Sequence, residues 1–372
     1  MFLQKLRLYN FKNHAEVNLN FEEKINCFLG KNGSGKTNLL DAIYYLSFTK
    51  SAFNPYDQQN VRLDQTGFLI KGTFEIRHKQ REVICSIRQG EKKNVLEEDQ
   101  AISKFSDHVG NYPVVLIAPQ DIELIWDGSE LRRKFFDSLI SQLDRIYLDS
   151  LIQYNHHLKQ RNSLLRTFSE RGKVDVDLIA SYDSKLALAG NYIHKTRVAF
   201  IEKFKPIFNK HYDFLVCEPS EKVDITYRSD LSEVDFELLL KKNFQRDLLL
   251  QRTTSGVHRD DFLFTLNGLE LKRVGSQGQQ KSFLIGLKLA EFQILASEKQ
   301  VKPLLLLDDI FDKLDDLRIQ QLLKLVNQGL FGQLFITDAR QGRSQQILTD
   351  AGLQAQLFII ESGTFRQEWL KT

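Results

Sequence analysis

A chain of 372 residues, 42% hydrophobic and 27% charged, can bury a large core and is long enough for two lobes or domains. A formal net charge of +3 does not by itself imply a nucleic-acid partner, and no apolar run approaches the ~20 residues of a membrane helix, so no membrane association is expected. The opening MFLQKLRLYNFKNH is too polar for a signal-peptide core, and Cys27, Cys85 and Cys217 are too widely spaced for a disulfide framework or a zinc site; a cytoplasmic protein is the expectation.

The first informative stretch is FLGKNGSGKTNLLDAIYYL. Lys24 to Leu29 (KINCFL) reads as a short buried strand, and Asn38 to Leu46 has apolar residues at helical spacing. Between them Gly30, Lys31, Asn32, Gly33, Ser34, Gly35, Lys36 and Thr37 fit G-x-x-x-x-G-K-[ST], a phosphate-binding loop. The glycines let backbone N–H groups converge on phosphate oxygens, and the following helix adds its positive end. Lys36 would reach the β- and γ-phosphates and the Thr37 hydroxyl would ligate Mg²⁺. A tight strand-to-helix turn explains the glycines but not the Lys36-Thr37 pair.

From about Ser129 to Asn209 the pattern is helical, broken by SERGKVDVD, with no heptad run long enough for an extended coiled coil. Basic residues recur: Arg132, Arg133, Lys134, Lys159, Arg161, Arg166, Arg171, Lys173, Lys195, Arg197, Lys203 and Lys205. They read either as a solvated helix surface or as a DNA-contact face of phosphate-binding cations. His258, Arg259, Asp260 and Asp261 read as a polar network joining lobes rather than a metal site.

Further on, Ser276, Gln277, Gly278 and Gln279 open an apolar helix. Ser276 with Gln279 forms a capping box, S-x-x-Q. The same loop could contact the γ-phosphate of a nucleotide held by another subunit, and the two readings stand level here. Pro303 to Asp309 (PLLLLDD) fits a central parallel strand ending at the ligand edge of its sheet. Asp308 would orient Mg²⁺, and Asp309 would orient or deprotonate an attacking water. Phe311 to Asp315 begins a helix; Gln333 to Asp338 is the next strand, with Thr337 and Asp338 near the γ-phosphate. Lys36 and Asp308 must meet at one magnesium from opposite ends of the chain. The spacing therefore predicts a discontinuous α/β ATPase domain, 1–118 and 256–372, interrupted by an inserted, mainly helical lobe over 119–255.

With P-loop, S-Q-G-Q, LLLLDD and D-K-L-D in this order, the chain resembles the SMC-like group of ABC-type ATPases, and within it the RecF family. LRLYNFKNH, VVLIAPQDIELIWDGSELRRKFFD, SGVHRDDF and GSQGQQKS carry the likeness over nearly the whole chain. The resemblance implies a P-loop ABC-type head with a mixed sheet and no long coiled coil. It implies an ATP-dependent homodimer with nucleotides sandwiched between P-loops and opposing signature loops. Ser276, Gln277, Gly278 and Gln279 would then act in trans, Lys36 and Asp309 would be catalytic, Thr37 and Asp308 would hold magnesium, and Asp312 to Asp315 would face the dimer. It further implies binding of single-stranded DNA and of gapped or junction duplexes, weak DNA-dependent ATP hydrolysis, and work with RecR and RecO in loading RecA and supporting the SOS response. Departures are Asp309 where SMC-type sites usually carry Glu, Gln120 where the family often has an acid, Val257 for a usual proline, and His14 for a common aromatic. The competing readings are another soluble P-loop ATPase, of transport or nucleotide metabolism, and a switch that binds ATP without hydrolysing it.

Overall fold

The computed structural model describes residues 1–216, 221–361 and 364–370; Cys217 and the side chains of Asp312 and Lys313 lie outside the described residues. The chain begins with β1 (Phe2–Phe11), β2 (His14–Asn20), β3 (Ile25–Gly30) and α1 (Lys36–Phe48). β4 (Gly67–Ile76), β5 (Lys79–Arg88), β6 (Asn94–Glu97), β7 (Gln100–Ala101) and β8 (Val114–Ile117) follow. Next come α2 (Glu123–Trp126), α3 (Ser129–Leu143), α4 (Arg145–Arg171), α5 (Val176–Val216), β9 (Val223–Arg228), α6 (Phe236–Leu250), β10 (Asp261–Leu266), β11 (Leu269–Glu270) and α7 (Leu271–Val274). The last part holds α8 (Gln277–Lys299), β12 (Leu304–Leu307), α9 (Ile310–Lys313), α10 (Asp316–Asn327), β13 (Leu334–Asp338), α11 (Gln341–Asp350), β14 (Ala355–Glu361) and β15 (Thr364–Leu370).

Two compact units result. The first comprises residues 1–121 and 281–372 with a short piece near 214, and the second 122–213 and 218–280. The first boundary falls within three residues of the one read from sequence. The second falls at Gln280 rather than at 255, because β10 and β11 pair in one antiparallel sheet with β9 and carry the segment before α8 into the inserted unit.

The first unit is built on two six-stranded sheets. One has the order β15-β14-β3-β13-β12-β8, parallel throughout except for β15, which pairs antiparallel with β14. It is the mixed sheet of an α/β P-loop head. β3 and β12 are buried along almost their whole length, which is why they read as unbroken apolar runs. The second sheet, β2-β1-β4-β5-β6-β7, is antiparallel; buried residues alternate with exposed ones over Lys5 to Tyr9 of β1 and with half-buried ones along β4. Leu6, Leu8, Phe68 and Ile70 from this sheet share one core with Phe28, Leu40, Ile43, Leu306, Phe335 and Phe358. Cys27 and Cys85 are free and buried, and burial pushes both thiols up to about 12, so they are inert packing residues.

The inserted unit has its own core, with Ile140, Tyr147, Tyr154, Leu186, Ile193, Phe236 and Leu240 packed from α3, α4, α5 and α6. It is mainly helical, as its periodicity suggests, and it adds the three-stranded sheet. α4 ends where Gly172 takes φ 64°, a left-handed turn that suits glycine, inside the SERGKVDVD interruption.

Candidate nucleotide site

The loop between β3 and α1 turns on Gly35, which takes φ 101° at the helix N-cap. A Cβ there would lie 2.6 Å from Asn13 Nδ2 and from His14 Nε2, so only glycine fits both the backbone and the space. The N-terminus of α1 is not closed by a side-chain cap, leaving a positive helix end at the loop. Lys36 is buried, and its Nζ donates to the carbonyls of Gly30 (2.8 Å) and Lys31 (3.1 Å), holding the ammonium inside the curl of the loop. Ser34 Oγ is buried and has no hydrogen-bond partner among the described residues, a polar atom that suits an incoming phosphate oxygen.

Strand order completes the site. Because β3, β13 and β12 run parallel in adjacent positions, their C-terminal ends open on one edge. Thr37 and Asp308, 271 positions apart, meet there: Thr37 Oγ1 lies 2.9 and 3.2 Å from the two carboxylate oxygens. Thr337 Oγ1 donates to Asp308 Oδ1 at 2.7 Å and accepts the Asp309 N–H at 2.9 Å. A hydroxyl beside a carboxylate is the hard-oxygen pair that Mg²⁺ takes alongside phosphate oxygens and water. Among the described residues there is no group of three or more His, Cys, Asp or Glu arranged for a metal.

Asp309 is half-buried and adopts φ 45° and ψ 36°, the left-handed region that non-glycine residues enter rarely and at some cost. That kink turns the chain off β12 into α9 and brings a second carboxylate to the same edge. Asp338 is the last residue of β13, opposite Leu29 near the end of β3. Its carboxylate is fully buried and accepts from the Arg340 N–H and the Ser344 hydroxyl. Gln120 is exposed in the short turn Pro119–Ile122.

His14 is a residue whose role the sequence pattern hid. It is 4% exposed, and a ring nitrogen lies 3.1 Å from the Gly35 carbonyl oxygen, beneath the P-loop. Its ring is 6.0 Å from that of Phe365. Burial lowers its pKa from the ordinary histidine value, with the Gly35 hydrogen bond opposing, so a neutral imidazole supports the loop. The signal for it was only the hairpin that joins β1 to β2 just ahead of β3.

In the inserted unit's part of α8 the capping box is real. The Ser276 N–H donates to Gln279 Oε1 at 2.7 Å, and the Gln279 N–H donates to Ser276 Oγ at 3.2 Å. Gln279 Nε2 donates to Glu221 Oε1 at 2.7 Å. Ser276 and Gln277 are exposed, and Gly278 is half-buried. Asp315 serves as a cap too, accepting the Arg318 N–H at 3.1 Å at the start of α10.

Three of the basic residues read as a surface are interior, which corrects that reading. Arg161 is 0% exposed and pairs with Asp183 (2.5 Å) and Asp247 (2.7 Å). Arg197 bridges Asp137 (2.9 Å) and Asp260 (3.0 Å), and Arg132 makes a two-pronged contact with Asp261 (2.8 and 3.0 Å). A buried guanidinium is tolerated only with such partners. Asp260 and Asp261 thus tie β10 to α3 and α5 within the inserted unit, so the network does not join lobes. Lys134, Lys159, Arg166, Arg171, Lys173, Lys195 and Lys203 remain exposed.

Comparison with known proteins decides the family. Residues 2–357 match the model of the RecF/RecN/SMC N-terminal domain. The chain is 46% identical over 348 residues to the DNA replication and repair protein RecF of Flavobacterium johnsoniae, covering 94% of this chain and 97% of that protein. The chain belongs to the RecF family. RecF of Bacteroides fragilis is 42% identical over 368 residues, 99% of this chain and 98% of its own. Among solved structures, the recombination mediator RecF with ATPγS, of the RecFOR pathway, superposes with a TM-score of 0.87 at 32% identity, covering 98% of each chain. An SMC head bound to the C-terminal winged-helix domain of ScpA shares the fold, with a TM-score of 0.57 at 12% identity.

Proposed function

We propose that this RecF-family chain is an ATP-gated DNA-binding switch of recombinational repair and replication-gap processing. The observation that carries the reading is the junction of Thr37, Asp308 and Thr337 at the mouth of a glycine-rich loop, two chain-distant halves of one phosphate site. ATP binds with its β- and γ-phosphates on the N–H groups of residues 30–37 and on Lys36. Thr37 and Asp308 would hold Mg²⁺, which when bound offsets the negative charge of the phosphates. Asp309 orients the attacking water, and its short side chain makes turnover slow.

In this reading two chains dimerise when ATP is bound, each presenting the Ser276–Gln279 loop, exposed at Ser276 and Gln277, to the other's nucleotide. The dimer holds single-stranded DNA and the junctions of gapped duplexes, and works with RecO and RecR in loading RecA and supporting the SOS response. The names of the relatives and the ATPγS-bound RecF structure support this assignment. The cytoplasm is the matching compartment; among the described residues no helix is long and apolar enough to cross a membrane.

The test is phosphate release with and without gapped duplex DNA, beside isothermal titration of ATP into wild type and Lys36→Ala. Slow, DNA-stimulated release and loss of ATP binding in Lys36→Ala are expected. Unchanged ATP affinity in that variant would sink the assignment of the loop.

A further inference from the structure

The solvent face of the antiparallel sheet carries chemistry that the nucleotide site does not use. Along β1, Leu6 and Leu8 point into the core, and Lys5, Arg7 and Tyr9 point to solvent. Tyr9 lies opposite Leu69 on β4, Leu69 opposite Ser86 on β5, and Ser86 opposite Asn94 on β6. With neighbouring strands about 4.8 Å apart, this row crosses about 14 Å of sheet. A cavity of about 500 Å³ opens along it, lined among others by Tyr9, Ser86, Arg88, Lys92 and Asn94. Gly67 forms part of its wall, and a Cβ there would lie 2.2 Å from the Ile87 carbonyl oxygen, so no side chain can fill the space from that position.

The charges on this face are largely unneutralised. Lys71 is paired with Glu82 at 2.7 Å, but among the described residues Lys5, Arg7, Arg88 and Lys92 have no ion-pair partner. Glu16, opposite Tyr9 on β2, and Glu91, in the cavity lining, are the acids that face them. Tyr9 is 43% exposed, a large aromatic ring left in water beside Arg7 on the same face of β1.

We infer that this face binds single-stranded nucleic acid, with Tyr9 stacking on a base and Lys5, Arg7, Arg88 and Lys92 contacting backbone phosphates. Ser86 and Asn94 offer hydrogen-bonding groups to base edges. An exposed ring interleaved with cations on a sheet suits an unpaired strand, whose bases have free π-faces; a duplex keeps those faces stacked. An acidic peptide would use the cations and leave the ring and the amide without a task. The inference rests on the DNA-binding reading above and adds to it the face and the residues that would hold the single strand.

Fluorescence anisotropy with a labelled oligothymidylate, in the presence of ATP and Mg²⁺, tests it. Tyr9→Ala should weaken binding by about tenfold and Tyr9→Trp should retain it, as expected for stacking. Arg7→Ala and Arg88→Ala should each flatten the logarithmic salt dependence by about 0.7, one phosphate contact on a single strand. ATP affinity should stay at the wild-type value in all four, which also reports that they are folded. Wild-type oligothymidylate binding in Tyr9→Ala and Arg7→Ala would overturn the inference while leaving the DNA-binding reading intact. Displacement of the oligonucleotide by polyglutamate at equal charge concentration would overturn it in favour of an acidic protein segment. A wild-type protein that binds ATP but neither oligothymidylate nor gapped duplex would overturn both.

Discussion

Replacing Thr337 with valine removes one oxygen and keeps the branched shape that suits a strand. That oxygen is fully buried and makes two bonds, 2.7 Å to Asp308 Oδ1 and 2.9 Å from the Asp309 N–H. The bond to the carboxylate contributes about 1.5–3 kcal/mol, and a backbone N–H left without its partner costs about 1–3 kcal/mol. The loss is therefore about 2.5–6 kcal/mol, felt at the end of β12 where both acids sit. In a unit of this size each kcal/mol lowers the melting midpoint by about 2–4 °C, so a fall on the order of 10 °C is expected by scanning calorimetry. Phosphate release should fall with it, in kcat more than in KM, because the Asp309 backbone loses the contact that holds its left-handed turn. Thr337→Ser restores the hydroxyl and should recover both readouts. A valine variant melting within about 2 °C of wild type, at wild-type turnover, would show that Thr337 is mere packing.

Asp309→Asn should keep ATP binding and stop phosphate release, since it preserves shape while removing the proton acceptor; unaltered turnover moves that role elsewhere. Ser276→Arg should bind ATP yet sediment as a monomer at concentrations where wild type dimerises, as judged by sedimentation velocity with ATP and Mg²⁺. If it dimerises normally, the loop is a helix cap and nothing more. His258 is held at about 4 by burial, opposed by its bond to the Thr253 carbonyl. Its folded pKa lies below the unfolded value of 6.5, so its contribution is full above about pH 6.5 and is lost as pH falls towards 4. His258→Gln should therefore show a smaller fall in melting midpoint than wild type between pH 7 and pH 5, and equal slopes would discount the histidine.

The parts of the site legible in the sequence are those in which chemistry and chain order coincide. Gly30 to Thr37 is one continuous loop, and Leu304 to Leu307 ends directly in Asp308, so each half carries its own local pattern. Asp338 closes β13 much as Asp308 follows β12, but nothing in the sequence shows that its oxygens accept from Arg340 and Ser344 just beyond. Arg161 and Arg197 were illegible for a different reason. A charged residue on a helix reads as solvated, and the carboxylates that bury these two come from 22 to 86 positions away. The three strands of the inserted unit were missed because β9 and β10 are six residues each and set between helices. The capping box in Ser276 to Gln279 is satisfied within its own backbone, so geometry alone does not separate a helix start from a loop that also meets a nucleotide.

The pairing of β3 has a consequence for how the protein is made. Its two neighbours, β13 and β14, both come from the last part of the chain, as does the Asp308 that meets Thr37. At about 5–20 residues per second, a ribosome needs about 14–54 s to advance from Thr37 to Asp308. For that interval β3, a largely apolar strand, has neither partner beside it. Co-translational folding must therefore leave the nucleotide site to the end and shelter an unpaired hydrophobic strand until then. The inserted unit, nearly contiguous in sequence and equipped with its own core, is free to fold while the ATPase unit waits.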